Sequence, residues 1–301
     1  DIADLVVGDA GDVAEAKAKC DFVFSAVAMG IQAVRDLEER YAANGLPVIS
    51  NNSAHRSTPD VPMFIPEINP HHADIIPFQR KNHGWDKGFI AVKPNCSLQS
   101  YLTPVYALMA AGCAVESLVV ATLQGVSGAG YPGPASIDVI DNIVPFIPSE
   151  EEKTEDEPLK ILGSIEVGRF VPTDSPRVSA HCNRVPVIDG HTACVSLKFE
   201  SARPSLEEII TIWRAFRAEP QELDLPFAPV QPIIYREEKD RPQPRKDRDA
   251  GKGMAVTVGR LRECPVMDCR FVALSHNTVR GAAGGAILSA ELLMAKGYLA
   301  K

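Results

Sequence analysis

No glycine-rich GxGxxG turn follows the first strand-like run of this chain, no CxxC pair or cysteine–histidine ladder occurs in it, and no apolar run is long enough to span a bilayer. Each absence excludes something. The seven cysteines (Cys20, Cys96, Cys113, Cys182, Cys194, Cys264, Cys269) are scattered and odd in number, which argues against a zinc site and against a disulfide framework. With no spanning run and no opening signal peptide, the chain reads as cytoplasmic, with no membrane as partner. The formal net charge is −8 and there is no dense Lys/Arg block, which excludes nucleic acid and anionic lipid. Internal repeats are also lacking. What is present is ordinary: 301 residues, 45% hydrophobic and 23% charged, enough for two domains with a sizeable core.

In chain order, Asp1 to Gly11 reads as a fragmentary strand and turn, and Val13 to Lys19 as a short helix. Asp21 to Val27 is expected to be a buried strand, Met29 to Ala43 a helix ending at Asn44-Gly45, and Leu46 to Ser50 the next strand. Strand–helix–strand alternation is the signature of a parallel α/β sheet. The missing glycine-rich turn leaves two options: another fold, or a dinucleotide fold whose first strand and helix precede this sequence. Ser50 to Arg56 is a polar loop at a strand end, where such sheets place ligands. A proline-rich connection (Pro59, Pro62, Pro66, Pro70) leads to His71-His72, read as solvated loop histidines rather than metal ligands, and to a mobile-looking patch, Gln79 to Lys87.

The informative stretch is Lys93-Pro94-Asn95-Cys96-Ser97, between the apolar run Gly88 to Val92 and a helical pattern that stops at Gly112 and contains Pro104. Cys96 falls beside a helix N-terminus, where the dipole eases loss of a thiol proton; the plain alternative is a small buried residue. Ser117 to Gln124 is a strand running into the glycine-rich loop Gly125 to Gly133. Ser149 to Glu157 reads as a Ser149-capped, solvated acidic helix start, with Glu150 and Lys153 sharing a face. In Val178 to His191, Asp189-Gly190 suggests a hairpin flanked by Arg184 and His191. Ser205 to Arg217 is an amphipathic helix, Pro229 to Gly253 a long loop, and Met254 to Arg262 and Cys269 to His276 are strands. A terminal helix opens at Gly281 among small residues.

Seven segments, taken together, resemble aspartate-β-semialdehyde dehydrogenases of the archaeal and fungal form. They are Asn51 to Arg56, Pro94 to Ser97, Gln124 to Gly128, Glu150 to Lys153, Asn183 to His191, Arg241 to Arg245 and His276 to Gly284, in the family's order and across nearly the whole chain. The departure is at the start, where the family's first strand and glycine-rich turn are not found. The resemblance implies NADP-dependent reductive dephosphorylation of L-aspartyl-4-phosphate to L-aspartate-4-semialdehyde through a cysteine thioester, in lysine, threonine and methionine biosynthesis. It implies Cys96 as nucleophile, His191 as general acid/base and Gln124 as an orienting group. Arg184 would take the substrate carboxylate and Glu150 its ammonium, with Lys153 and Arg56 facing phosphate and Asn95 beside the nucleophile. Ser25, Ser127, Gly128, Asn277 and Thr278 would line the NADP site. No metal is implied, and the assembly would be a homodimer or homotetramer.

The expected fold is therefore α/β: an N-terminally incomplete Rossmann-like domain over residues 1–95, completed by the helix 281–301, and an α/β catalytic and dimerisation domain of the glyceraldehyde-3-phosphate-dehydrogenase-like type over 96–280. The sheet near Ser117, Thr192, Met254 and Cys269 is expected to form the dimer interface. Three other readings stay open. A malonyl-CoA reductase shares the cysteine–histidine chemistry. An N-acetylglutamyl-phosphate reductase does too, but its substrate has no free ammonium for Glu150. The third is a truncated, non-catalytic assembly partner. Lacking the glycine-rich turn, this sequence is expected to bind NADP weakly and to expose unfinished sheet edges.

Overall fold

A computed structural model of the chain describes residues 4–300. Among these, the strands form a three-stranded parallel sheet, a six-stranded mixed sheet and a two-stranded ribbon. The first sheet has order β1 (Val23–Ser25), β2 (Val48–Ser50), β3 (Ile90–Val92). Its β2 and β3 are buried along their length, as parallel strands covered on both faces require. The edge strand β1 is shorter and less covered than the sequence suggests: Phe24 is 47% exposed. Helix α1 spans Val13–Lys19, and residues 4–11 carry no strand. Helix α2 (Ile31–Ala43) buries Val34, Leu37 and Ala42 and ends where Gly45 takes φ +84°.

The connection to β3 is not the solvated loop its polarity suggests. His72 is fully buried; its Nδ1 lies 2.9 Å from Asn69 Nδ2 and its Nε2 3.3 Å from the Gly163 carbonyl. Burial, first, lowers its pKa to about 3. The patch from Gln79 belongs largely to helix α3 (Ile76–His83), and the buried Gln79 amide donates to the Asp60 and Ile90 carbonyls while accepting from Ile90 N–H. A side-chain amide standing in for a strand partner leaves no periodic trace in a sequence.

After α4 (Leu98–Ala110), which runs through Pro104, come β4 (Val115–Gln124), α5 (Ser136–Val139) and α6 (Glu150–Ile161). The ribbon β5 (Ser164–Glu166) and β6 (Arg169–Val171) precedes β7 (Arg177–Arg184) and β8 (His191–Phe199). Next are α7 (Leu206–Ala215), α8 (Glu219–Glu222), β9 (Ile233–Arg236), α9 (Pro244–Asp247), β10 (Val256–Glu263) and β11 (Cys269–Ser275). The large sheet has order β7-β4-β8-β11-β10-β9. Asp189-Gly190 therefore does not close a hairpin: β4 lies between β7 and β8, parallel to one and antiparallel to the other. Nor is Pro229 to Gly253 all loop, since it supplies the edge strand β9, parallel to β10. On α7, Ser205 and Glu208 form a capping box, and Trp213 Nε1 donates to the Pro104 carbonyl at 2.8 Å, fixing α7 on α4.

The acidic run is a structural device rather than a solvated face. Glu151 Oε1 accepts from Cys182 N–H and Glu155 Oε1 from Ala180 N–H, so α6 satisfies the free donors of edge strand β7. Ser149 occupies the N-cap position in a left-handed conformation (φ 56°) without a side-chain capping bond.

The terminal helix α10 (Gly284–Ala295) packs on the first sheet, with Leu288, Leu292 and Leu293 against Ile49, Phe64, Phe89 and Ala91. A π-helical turn, Val279–Ala283, leads into it. In that turn Arg280 is 1% exposed and grips Glu67 with both Nη atoms, at 2.9 and 3.1 Å, while also donating to the Met254 carbonyl and Thr103 Oγ1. Removing one partner leaves a buried charge alone, so Glu67→Gln is expected to cost on the order of 3–5 kcal/mol in denaturant unfolding. A loss under 1 kcal/mol would show that the pair is dispensable to stability.

Candidate active site

The loop after β3 is pinned before it reaches Cys96. Asn95 N–H donates to Glu157 Oε2 at 2.6 Å, and Asn95 Oδ1 accepts from Ser97 N–H at 2.9 Å. Cys96 thus enters α4 from a rigid turn and stays partly accessible. The expected easing of its ionisation is not realised in the free protein. Burial, and then the Glu150 carboxylate, push the thiol up to about 11, against the pull of Lys93, Arg56 and Arg184. Loss of water outweighs proximity to a helix start.

Sheet register assembles the facing wall. Gln124 is paired with Arg184 on one side and with His191 on the other, so Arg184, Gln124 and His191 stand in one row across β7, β4 and β8. All three are buried. Gln124 Nε2 donates to Glu150 Oε1 at 3.0 Å, and Arg184 Nη1 donates to the Gly125 carbonyl at 2.7 Å. Gly125 N–H is shared between His191 Nδ1 at 3.1 Å and the Gly190 carbonyl at 3.2 Å, which favours the imidazole proton on Nε2, a buried atom with no hydrogen-bond partner. Burial lowers the pKa of His191 to about 3. Gly128 lies over this row: a Cβ there would come within 2.9 Å of His191 Nε2 and 3.0 Å of Arg184 Nη1.

A cavity of about 480 Å³ is lined among others by Arg56, Lys153, Glu157 and Lys160, and reaches the Cys96 loop through Glu157, which holds Asn95 N–H. Arg56 Nη1 pairs with Glu157 Oε1 at 2.9 Å, while its Nε is buried without a partner. Lys160 Nζ donates to the Arg56 and Thr58 carbonyls, each at 2.8 Å. Glu157, Lys160 and Lys93 are functional-site neighbours that sequence reasoning missed. The signal was there: Glu150, Thr154, Glu157 and Ile161 recur at helical spacing, the buried stripe of α6.

The residues expected around a cofactor fall into two groups. Ser127, Gly128, Asn277 and Thr278 come together: Asn277 Nδ2 donates to Ser127 Oγ at 2.8 Å and its Oδ1 accepts from Gly190 N–H at 2.7 Å. Thr278 Oγ1 lies 3.2 Å from His276 Nδ1. Ser25 stands apart at the end of β1, where its Oγ accepts from Asn52 Nδ2 at 2.9 Å.

Comparison with known proteins matches two family models: "Semialdehyde dehydrogenase, NAD binding domain" over residues 1–76 and "Semialdehyde dehydrogenase, dimerisation domain" over 105–280. Aspartate-semialdehyde dehydrogenase of Archaeoglobus fulgidus is 47% identical over 274 residues, covering 91% of this chain and 77% of its own. That of Aspergillus fumigatus is 45% identical over 286 residues, covering 93% and 78%. The crystal structure of the Candida albicans aspartate-semialdehyde dehydrogenase with NADP superposes with TM-score 0.84 at 41% identity, over 93% of this chain and 79% of that one.

The two neutral imidazoles have a pH consequence. A histidine whose folded pKa lies below its unfolded value of about 6.5 leaves the unfolded chain binding more protons, so stability is lost as pH falls below about 6.5, continuing toward 3. Stability is expected to drop between pH 7 and pH 5, and His72→Gln to make that drop shallower by about one proton's slope. An unchanged slope would place the proton uptake on other groups. Nitrogen-15 spectra should show His191 as the Nε2–H tautomer throughout this range.

Proposed function

The chain belongs to the aspartate-semialdehyde dehydrogenase family, and from that premise we propose that it is an NADP-dependent oxidoreductase that converts L-aspartyl-4-phosphate into L-aspartate-4-semialdehyde, a step of amino-acid biosynthesis leading to lysine, threonine and methionine. The observation that carries this reading is the row Arg184, Gln124 and His191, in which Arg184 shares with Cys96 the field of the Glu150 carboxylate and Gln124 is bonded to it. An acyl phosphate is a poor hydride acceptor until a thiol displaces phosphate, and we assign that displacement to Cys96. Arg184 offers a planar fork to the substrate carboxylate. Glu150 complements the ammonium, and Gln124, bonded to Glu150, orients the reacting group beside it. Arg56 and Lys153 line the cavity, and a phosphate there meets two cations and the unpartnered Arg56 Nε. Asn95 holds the loop, and His191 donates from Nε2 to the oxygen of the acyl centre and takes that proton back in the reverse direction.

The residues present fit a dinucleotide. The close approach allowed at Gly128 and the free Nε2 of His191 meet in one place, and Ser25 ends a strand of the parallel sheet, where open α/β sheets bind ligands. Ser127, Gly128, Asn277 and Thr278 would hold the nicotinamide end, with Ser25 at the first sheet. When bound, NADPH supplies the hydride of the reduction. The domain division we infer follows the two sheets: residues 1–95 with the helix 281–301 form the nucleotide unit, and 96–280 the catalytic one. Assembly into a homodimer or homotetramer is supported by the dimerisation-domain match and by the exposed Ile137, Ile140, Ile143 and Phe146 beside the glycine-rich loop.

The direct test is phosphate-dependent reduction of NADP with aspartate semialdehyde. Cys96→Ala is expected to abolish it and Cys96→Ser to leave a trace, because a hydroxyl is rarely ionised; retained turnover in Cys96→Ala would sink the reading. Arg184→Lys keeps the charge and loses the fork, so kcat/KM should fall by about 1–3 kcal/mol, mainly through KM. Unchanged kinetics would move Arg184 to a structural role.

A further inference from the structure

The loop after β2 carries Arg56, and its backbone turns tightly. Arg56 N–H donates to the Ser53 carbonyl at 3.2 Å, and Thr58 N–H donates to the His55 carbonyl at 3.1 Å. A carbonyl taken from water without a donor is costly, so each one that leaves such a turn has to be met from elsewhere. Lys160 of α6, itself 8% exposed, meets two of them: its Nζ donates to the Arg56 and to the Thr58 carbonyl, each at 2.8 Å. The same Nζ stands 5.1 Å from the centroid of the Phe170 ring on β6. Phe170 N–H in turn donates to the Pro59 carbonyl at 2.7 Å. Three carbonyls of one loop, at positions 56, 58 and 59, are therefore taken by donors from α6 and from the ribbon.

The same helix also holds the tip of Arg56. Glu157, three residues before Lys160 on one face of α6, accepts from Nη1 at 2.9 Å, and Nη2 donates to the Asn51 carbonyl at 3.2 Å. Among the described residues nothing partners the buried Nε, which is left as a donor. An arginine side chain carries about 2 kcal/mol of rotamer entropy, and one tied at its backbone and at its tip has little of it left to lose when an anion arrives. Lys160 lines the same cavity as Arg56 and Lys153, but its donors are committed to the loop. Burial lowers its pKa to about 7, and the amine with two N–H, like the ammonium with three, still has one for each carbonyl. The hold does not depend on its charge.

We propose that Lys160 is a positioning residue of the phosphate subsite: it fixes the backbone of the Arg56 loop, so that Arg56 rather than Lys160 meets the phosphate. This rests on the reading of Arg56 as a residue that faces phosphate. No bond is made or broken at Lys160. What it supplies is the placement of a guanidinium, and a misplacement of about 1 Å in such a group can cost about 10²-fold. A residue that only stabilised the fold would leave the affinities for phosphate, dinucleotide and aldehyde alike unmoved. Lys160 should move the first alone.

The test is steady-state kinetics of phosphate-dependent NADP reduction with aspartate semialdehyde, in Lys160→Met, Arg56→Met and the double variant, beside thermal unfolding of each. Lys160→Met is expected to raise KM for phosphate at least tenfold, with KM for NADP and for aspartate semialdehyde within twofold of wild type. Arg56→Met should raise KM for phosphate at least as much. Adding Lys160→Met to it should change that KM by less than twofold, because the lysine acts through the arginine. An unmoved phosphate KM in a folded Lys160→Met would overturn the proposal. So would a double variant in which the two effects multiply, since Lys160 would then touch phosphate itself. Should Lys160→Met not fold, Lys160→Gln, with two amide N–H on a shorter stem, decides by the same readout, and at least a threefold rise is expected. Failure of both to fold would make Lys160 a folding residue and overturn the assignment. A phosphate KM unmoved in Arg56→Met would instead bring down the reading of Arg56.

Discussion

The buried pair of Glu67 and Arg280 is the constraint on which the site depends. Glu67 comes from the connection before β3, and Arg280 from the turn that opens the terminal helix; Arg280 also reaches α4 through Thr103 and the start of β10 through Met254. Four segments from distant parts of the chain thereby meet at one guanidinium. Such a pair adds little net stability over an apolar cluster of equal volume, but its fork geometry allows one arrangement only. That arrangement sets the π-helical turn, and with it the positions of Gly281 and Gly285 against Cys96 and Lys93.

The chemistry sits in a place where water is scarce and charge is balanced locally. Cys96 and His191 are both held in their uncharged forms by burial, while Arg56 is matched by Glu157 and Gln124 bridges toward Glu150. Low dielectric strengthens every interaction a substrate makes once it arrives and penalises each group left unmatched before then. On the proposed reading, a substrate bringing a carboxylate, an ammonium and a phosphate would supply matches for Arg184, Glu150 and the half-buried Arg56 and Lys153 together. A ligand lacking the carboxylate or the ammonium would leave the buried Arg184 or Glu150 without its match.

Much of this was legible in the sequence, for reasons that differ by element. Apolar runs at β2 and β3, the Asn44-Gly45 and Gly112 stops and the amphipathic pattern from Ser205 are local signals, and each element appears where those signals put it. The grouping of Arg184, Gln124 and His191 came from resemblance, since their meeting depends on β4 entering between β7 and β8, an order set by long-range pairing. That same insertion is why Asp189-Gly190 mimicked a hairpin. His72 and Gln79 were taken for surface because polar residues usually are; their partners, Asn69, Gly163 and Asp60, become visible only after folding. The acidic helix misled in the same way. Its Glu151 and Glu155 face a strand edge that no count of charges reveals.

That helix also explains why the site should respond to change as a unit. On α6, Glu150 is bonded to Gln124, Lys153 lines the cavity, and Glu157 holds both Arg56 and the Asn95 backbone of the Cys96 loop. Positions 150, 153 and 157 lie on one helical face at i, i+3 and i+7, so a rigid shift of α6 displaces all three contacts together. Its outer face is fastened to β7, the strand that carries Arg184. Side chains offered from α6 and from β7 therefore belong to one body, and the Cys96 loop is tied to that body through Glu157. Variants on this face share partners, and their effects cannot be summed as though the positions were independent.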